Sequence, residues 1–569
     1  MYKILKQYWN YDNFRPLQAE IIQSILEGRD TLALMPTGGG KSLCFQVPTM
    51  VKNGLCLVIT PLIALMKDQV ENLRRRNIHA AAIYTGMSYE QQKTALDNCM
   101  WGPYHFLYVS PERLESEEFR ERLARLPICL IAVDEAHCIS QWGYDFRPSY
   151  LKIAEIRDLV GKETIVPILA LTATATPEVV DDIQERLAFR EKNVLRKSFA
   201  RSNISYVVRE SNKKADEIVH ILSRVPGSAI VYVRNRQRAQ ELASYLQEKG
   251  ISADFYHAGL SSKERSAKQE EWKAFGVGRQ ETRGEKQGVR VIVATNAFGM
   301  GIDKPDVRVV IHHDLPDTIE AYFQEAGRAG RDEQKAFAVL LYDSSDKTKA
   351  RKRVADNYPD PEFLHNVYHK TCNYLGVGAD SGQGATFFLD VFDLCTKMHL
   401  PVFSTYSALH LLSQIGYFSF DEEQEIRPRV MIRVSRRELD DFTLTTQQYA
   451  LLESLMREHT GIFTELQYIH NIDENMHQLL VSLAEKQVIS YVSRTVANVL
   501  RFTVNRQTQL RIPEDIYTQR KEHYTCKLKA MVEYAENKHY CRSQVLLSYF
   551  GEHNASTCGT CDVCRSKKG

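Results

Sequence analysis

The chain has 569 residues, 73 Lys+Arg against 71 Asp+Glu, a net charge of +2, 44% hydrophobic and 25% charged residues. At about 150 residues per domain the length suggests roughly four domains, and the ordinary composition excludes a mostly disordered chain or a collagen-like or coiled-coil fibre. A near-zero net charge excludes a global field, so any nucleic-acid site must be a local patch. No run approaches the roughly 18 apolar residues that span a bilayer, and the segment Met1-Tyr2-Lys3-Ile4-Leu5-Lys6-Gln7-Tyr8-Trp9 lacks the apolar core of a secretory signal. No membrane partner is expected. Eight of the twelve cysteines are scattered singly, which favours a reduced, cytoplasmic compartment over a disulfide scaffold.

From residue 31 to about 342, apolar runs of strand length alternate with amphipathic stretches of helix length. Examples of the runs are Thr31-Leu32-Ala33-Leu34, Leu55-Cys56-Leu57-Val58-Ile59, Ile128-Cys129-Leu130-Ile131-Ala132-Val133, Ile168-Leu169-Ala170-Leu171, Ala229-Ile230-Val231-Tyr232-Val233 and Val291-Ile292-Val293-Ala294. Strands apolar at every position suit a parallel sheet covered by helices on both faces. This is too much chain for one such sheet, so two α/β domains are expected, with a boundary near 200–214, where the pattern lapses into polar residues. Residues 276–290 hold four glycines without periodicity and read as a mobile surface loop. Beyond residue 342 two segments, 406–418 and 479–492, each read as an amphipathic helix followed at once by a strand. That form suits a winged helix; two unrelated helix–strand units of an α+β domain fit it as well.

Four groups of residues point to chemistry. Met35-Pro36-Thr37-Gly38-Gly39-Gly40-Lys41-Ser42 follows a strand and precedes a helical stretch, the setting of a phosphate loop. Its glycines let backbone N–H groups curl around phosphate oxygens, Lys41 neutralises them, and the Ser42 hydroxyl is placed to ligate Mg²⁺. Met35 stands where the strict pattern has its first Gly. Asp134-Glu135-Ala136-His137 ends the strand 128–133, where Asp134 suits Mg²⁺ and Glu135 the polarisation of an attacking water. Gln324-Glu325-Ala326-Gly327-Arg328-Ala329-Gly330-Arg331 offers Arg328 and Arg331 near one face of a helix, suited to reaching a γ-phosphate from across a cleft. Finally, Cys541 with Cys558-Gly559-Thr560-Cys561-Asp562-Val563-Cys564 supplies four thiolates for a closed tetrahedral Zn²⁺ site, an iron–sulfur cluster being the alternative. Nine Lys/Arg against five Asp/Glu over residues 519–569 suit a phosphate-contacting lobe.

In their order along the chain these residues closely resemble the RecQ helicases of superfamily 2, over residues 8–343 and again over 517–565. Tyr11-Asp12-Asn13-Phe14-Arg15-Pro16-Leu17-Gln18 is similar to the family's adenine-recognition motif, with Gln18 reading the base edge and Tyr11 and Arg15 on its faces. His137-Cys138-Ile139-Ser140-Gln141-Trp142-Gly143-Tyr144-Asp145-Phe146-Arg147-Pro148 resembles the aromatic-rich loop of RecQ-type enzymes. There Trp142, Tyr144 and Phe146 can stack on unpaired bases beside Arg147. The resemblance further places Thr295 and Asn296 on the DNA backbone, Gly301 and Asp303 along the ATP cleft, and Gln324 with the arginines. It implies two tandem RecA-like parallel-sheet motor domains (1–200 and 201–345) and a small helical zinc-binding subdomain (517–569); the region between them (346–516) is expected to be an inserted α+β, winged-helix-like one. The implied activity is ATP-driven, Mg²⁺-dependent 3′–5′ unwinding of DNA in repair and recombination. Single-stranded and duplex DNA and single-strand-binding or repair proteins are the implied partners, with a cytoplasmic location, on the nucleoid in a bacterium. A DNA translocase or RNA-directed ATPase of the same superfamily is the alternative; a non-enzymatic DNA binder with a decayed motor fits poorly with the retained Lys41, Glu135 and Arg331. The chain departs from the family layout in two ways. About 170 residues precede the zinc subdomain where a few dozen are usual, and no winged helix or HRDC domain is expected after it.

Overall fold

The computed structural model describes residues 1–569 apart from 37, 85–86, 141–145, 161–165, 277–287, 300–303, 427–428, 436–437, 440–441, 459–466, 469–473, 493–494, 515 and 568–569. It divides into two compact units, Met1–Ala350 with Thr525–Gly569, and Arg351–Tyr524. Among the described residues no helix is long and apolar enough to cross a membrane.

In the first unit, β1 (Thr31–Leu34), β2 (Leu55–Ile59), β3 (His79–Ile83), β4 (Tyr104–Val109), β5 (Ile128–Val133), β6 (Ile168–Thr172) and β7 (Val194–Arg196) form a parallel sheet ordered β3-β4-β2-β5-β6-β1-β7. β1, β2 and β6 are buried at every position, which is why their sequences show no alternation. A second parallel sheet follows: β8 (Ile204–Glu210), β9 (Ser228–Tyr232), β10 (Ala253–Tyr256), β11 (Val291–Ala294), β12 (Val307–His312) and β13 (Ala336–Tyr342), ordered β10-β11-β9-β12-β13-β8. These are the two expected RecA-like domains. The lapse read at 200–214 needs correction, because it contains β8. As an edge strand half open to solvent, β8 carries Arg209 and Glu210 and so loses the fully apolar signature of the inner strands. Most of the glycine-rich segment 276–290 lies outside the described residues.

The zinc-lobe helices Arg542–Tyr549 and Asp562–Ser566 belong to the same unit. The ring of Phe550 packs 5.2 Å from Phe199 and 5.0 Å from Phe323. Glu552 accepts hydrogen bonds from Ser198 Oγ and the Phe199 N–H, both 2.7 Å, and Lys527 forms a buried 2.8 Å ion pair with Glu320. The lobe therefore grips the linker between β7 and β8 and the helix Ile319–Ala326 of the second sheet's domain.

The second unit has two cores. In the first, the helix Pro361–Tyr374, β14 (Thr386–Leu389), the helices Val391–Met398 and Val402–Ile415, β15 (Phe418–Ile426) and a later strand, Thr495–Phe502, enclose Leu364, Leu394, Leu409, Leu412, Phe418 and Phe502. This helix–strand–helix–helix–strand–strand order is that of a winged helix. Its long wing departs into the second core, built on β16 (Arg429–Ile432), the helices Thr446–Glu458 and Glu474–Glu485, β17 (Gln467–Tyr468) and β18 (Ile489–Val492). The returning strand is β19 (Thr495–Phe502). Pairing of Ile426 with Thr495 and of Arg429 with Val492 follows one antiparallel register. The pairs β15–β19 and β16–β18 thus share one register on either side of residues 427–428 and 493–494, which lie outside the described residues.

Candidate active site and metal centre

The loop 35–42 joins β1 to the helix Leu43–Lys52. Gly38 and Gly40 have φ of +80° and +77°, a left-handed conformation that glycine adopts without a Cβ penalty. At Gly40 the space is closed as well, since a Cβ there would lie 2.5 Å from Gln18 Nε2. Gln18 is buried, and both ends of its amide are taken: Oε1 accepts from the Arg15 N–H at 2.9 Å, and Nε2 donates to Gly40 O at 2.9 Å. Arg15 Nη1 donates to Gly38 O at 2.7 Å. The 11–18 motif thus braces the loop from its carbonyl side, a function the base-reading expectation for Gln18 and Arg15 did not include. Tyr11 is exposed nearby in sequence, 53% accessible.

At the end of β5, Asp134 follows Val133, and Glu135 takes a left-handed φ of +48°. A non-glycine residue in that conformation at a buried position is strained, and here it turns the chain sharply so that Asp134 and Glu135 share the sheet's carboxyl edge. Burial and the adjacent Glu135 charge raise Asp134 to about 6, opposed by the Lys41 ammonium, which is close enough to act on it. The Tyr150 hydroxyl donates to Asp134 O at 3.0 Å. Glu135 Oε2 lies 3.4 Å from His137 Nδ1, which is 2.9 Å from Thr172 Oγ1; that oxygen accepts from the Thr174 N–H at 3.3 Å. A polar chain therefore runs from the acidic pair to the loop after β6.

The arginines are placed differently from the helical-face expectation. The helix Ile319–Ala326 ends at Gly327, and Arg328 and Arg331 sit in the turn beyond it: after the Gly327 N–H bond to Phe323 O, the Arg328 and Ala329 N–H groups bond only three residues back, and the Gly330 N–H leaves for Val307 O. Gln324 stays in the helix, buried. Arg328 is buried with its Nη2 3.2 Å from the Cβ position of Gly299. Arg331 reaches the other domain: its Cγ lies 3.5 Å from where a Cβ added to Gly38 would stand, which places the side chain beside the glycine loop. Arg201, which drew no notice in the sequence, holds this turn by donating to Gly327 O at 3.2 Å, Ala329 O at 3.1 Å and Gly330 O at 2.9 Å. Asn203 Nδ2 adds a 2.7 Å bond to Gly330 O. Nothing in their spacing could have shown this, since the partners lie more than 120 residues away.

Thr37, Trp142, Tyr144, Gly301 and Asp303 lie outside the described residues. The two ends of the aromatic loop meet, the Arg147 N–H donating to Cys138 O at 2.8 Å, and Arg147 Nη1 is 3.9 Å from Glu112 Oε1. Phe146 is half-buried at that closure. Asn296 is exposed after β11, whereas Thr295 is buried with its N–H on Tyr256 O.

Cys541, Cys558, Cys561 and Cys564 offer sulfur atoms all within 4.8 Å of one another. Cys541 and Cys561 cap the two short helices, and N–H groups of Cys558, Cys561 and Cys564 point at neighbouring sulfurs at 3.2–3.4 Å. Burial raises the Cys558 thiol, but N–H donors from Thr560 and Cys561 outweigh it and bring the group down to about 7. Four converging sulfurs with donors that favour the thiolate fit a tetrahedral Zn²⁺. Arg542 and Asp562, each next to a ligand, form a 2.9 Å ion pair that ties the two ligand-bearing helices together.

Three family models match the chain: DEAD/DEAH box helicase over residues 15–183, Helicase conserved C-terminal domain over 213–333 and RecQ zinc-binding over 498–565. The chain is 39% identical over 360 residues to the ATP-dependent DNA helicase RecQ of Haemophilus influenzae, covering 63% of this chain and 56% of that one. It is 42% identical over 342 residues to the probable ATP-dependent DNA helicase RecS of Bacillus subtilis, covering 59% and 66%. The chain thus spans less than two thirds of the length of the curated relatives it matches. A solved structure of the DUF1998 helicase MrfA bound to DNA shares the fold, with a TM-score of 0.50 at 18% identity over 73% of this chain and 60% of that one. With both motor modules, the zinc module and about 40% identity in agreement, the chain belongs to the RecQ family.

Proposed function

We propose that the protein is an ATP-dependent DNA helicase that moves 3′ to 5′ on one strand and separates duplex DNA, working in repair and recombination. The observation that carries this reading is the placement of Arg331 beside Gly38, which sets a cation from the second domain next to the phosphate loop of the first. ATP is the substrate of the cleft. The N–H groups of 38–42 and Lys41 hold its phosphates, and Glu135, oriented by His137 and Thr172, takes a proton from the attacking water. Arg331 and Arg328 neutralise charge that develops on the transferred phosphoryl group. Ser42 and Asp134 are the residues that hold Mg²⁺, which supplies further neutralisation when bound. Because Arg331 belongs to the second domain, closure completes the site and hydrolysis with product release reopens it. A strand gripped by both domains, through Asn296 on one side and the 138–147 loop on the other, is stepped along. The polar chain from Glu135 through His137 to Thr172 and Thr174 is the route by which the state of the cleft reaches that grip.

The winged-helix order of residues 361–502 supports assigning the strand-separating element to the inserted unit. The test is strand displacement on 3′- and 5′-tailed duplexes, with turnover measured on DNA and RNA. Displacement of the 3′-tailed substrate, and stimulation by DNA over RNA, are expected. Arg331→Ala should lower kcat by about 10³-fold or more, the usual contribution of such an arginine, while single-stranded DNA binding persists. Unchanged turnover in that variant would remove the motor assignment.

A further inference from the structure

Three neighbouring strands of the second sheet end around one buried ring. Tyr232 closes β9, which runs between β11 and β12, and stands opposite Ala294 on one side and His312 on the other. Ligands of open α/β sheets sit beyond this carboxyl edge, so a group fixed here can act on the cleft without lining it. Tyr232 is buried, and its hydroxyl donates to Phe298 O at 2.7 Å. Phe298 lies in the segment after β11 that carries the exposed Asn296. The hydroxyl therefore ties the end of β9 to the stretch assigned to DNA.

Arg328 comes to the same backbone, its Nη2 3.2 Å from where a Cβ added to Gly299 would stand. It is buried, and among the described residues its Nε has no hydrogen-bond partner. A buried cation is costly unless oxygens within reach hold it. Glu325, three residues earlier, is engaged by His312, whose Nε2 stands 2.8 Å from Glu325 Oε2. The Tyr232 hydroxyl is within reach of the guanidinium: burial raises its pKa, and the neighbouring Arg328 and Arg331 cations pull it back down. His312, itself buried, fixes the ring that carries this hydroxyl, stacking on Tyr232 at 5.3 Å with 23° between the planes.

We propose that Tyr232 is the positioning residue for Arg328, its hydroxyl shared between the Phe298 carbonyl and the guanidinium. A cation fixed in advance neutralises charge developing on the transferred phosphoryl group without reorganising as it develops. Because the same hydroxyl holds Phe298, a shift of the segment that grips the strand moves the arginine with it. Tyr232 acts through Arg328, and the inference rests on the reading of Arg328 as a partner of the transferred phosphoryl group.

The experiment is a double-mutant cycle on the full chain, with Tyr232→Phe and Arg328→Ala made singly and together and ATP turnover measured at saturating oligo(dT). Tyr232→Phe keeps the buried ring and removes one oxygen. It should lower kcat roughly tenfold or more, the scale of one hydrogen bond to a charged group, and leave KM for ATP unchanged. In the Arg328→Ala background the same change should have no further effect on kcat, because a group that acts through the arginine has nothing left to position. His312→Gln, whose amide nitrogen can keep the bond to Glu325 while the stacked ring is lost, should lower kcat in the same direction and fall silent in the same background. Thermal midpoints and oligo(dT) affinity report an intact fold in each variant. Wild-type turnover in Tyr232→Phe overturns the proposal. So does a combined loss equal to the product of the two single losses, which makes the hydroxyl a stabilising group independent of the arginine and leaves the reading of Arg328 standing. Wild-type turnover in Arg328→Ala removes that reading itself, and the positioning role with it.

Discussion

Asp134 concentrates the electrostatic cost of the cleft. Its carboxyl is buried beside Glu135, and those two effects raise it to about 6 from an ordinary 3.8 against the pull of Lys41. The nucleotide-free protein therefore binds this proton more tightly than the unfolded chain does. The resulting stabilisation is complete below about pH 4 and is lost as pH rises through 6. In Mg²⁺-free buffer, Asp134→Asn should remove that dependence and raise stability at pH 7.5 by on the order of 1–2 kcal/mol. Urea midpoints at pH 5 and 7.5 check this; a variant no more stable than wild type at pH 7.5 contradicts it. The same substitution should abolish ATP turnover, so that stability and activity move in opposite directions, as expected where a site holds charge for its ligand.

Among the elements, the turn 327–331 and the zinc lobe each depend on groups distant in the chain. Arg201 satisfies three carbonyls of the turn that carries both arginines. Arg201→Ala leaves them without that partner, at a cost of about 1–3 kcal/mol, and should lower kcat although Arg201 has no place among the phosphate-binding residues. Arg201→Lys, which restores one donor, should recover part of both. Turnover of the Ala variant at the wild-type rate would show that the turn holds its own shape. In the zinc lobe, helices of eight and five residues are too short to persist alone, and their buried contacts follow from the four sulfurs. Removing zinc with a strong chelator should expose Cys541, Cys558, Cys561 and Cys564 to a thiol reagent and release Phe550 from Phe199 and Phe323. Thiol titration before and after chelation, beside a thermal melt, reads both effects; four thiols that stay unreactive after zinc loss would contradict it.

At the scale of the whole molecule, the inserted unit begins and ends close together in its own structure. The rings of Tyr358 and Tyr517 are 6.5 Å apart, so a linker of about six Gly/Ser residues, reaching up to about 20 Å, can replace residues 359–516. The shortened protein should keep ATP turnover stimulated by single-stranded DNA and lose strand displacement. Normal displacement would reject the assignment of the separating element to this unit.

Much of this was legible locally. Buried parallel strands such as β2 and β6 announce themselves because both faces are covered and every position is apolar. The glycines at 38 and 40, and the four cysteines, are demanded by chemistry acting over a few residues, so their spacing speaks directly. What lay beyond the sequence were relations between distant segments: the strand order of each sheet, the edge strand β8 hidden by its charges, and the common register of the β15–β19 and β16–β18 pairs. Arg201 under the arginine turn and Arg331 against Gly38 belong to the same class. Such contacts depend on which surfaces meet once the domains pack, and packing is a property of the assembled core that no short window of residues carries.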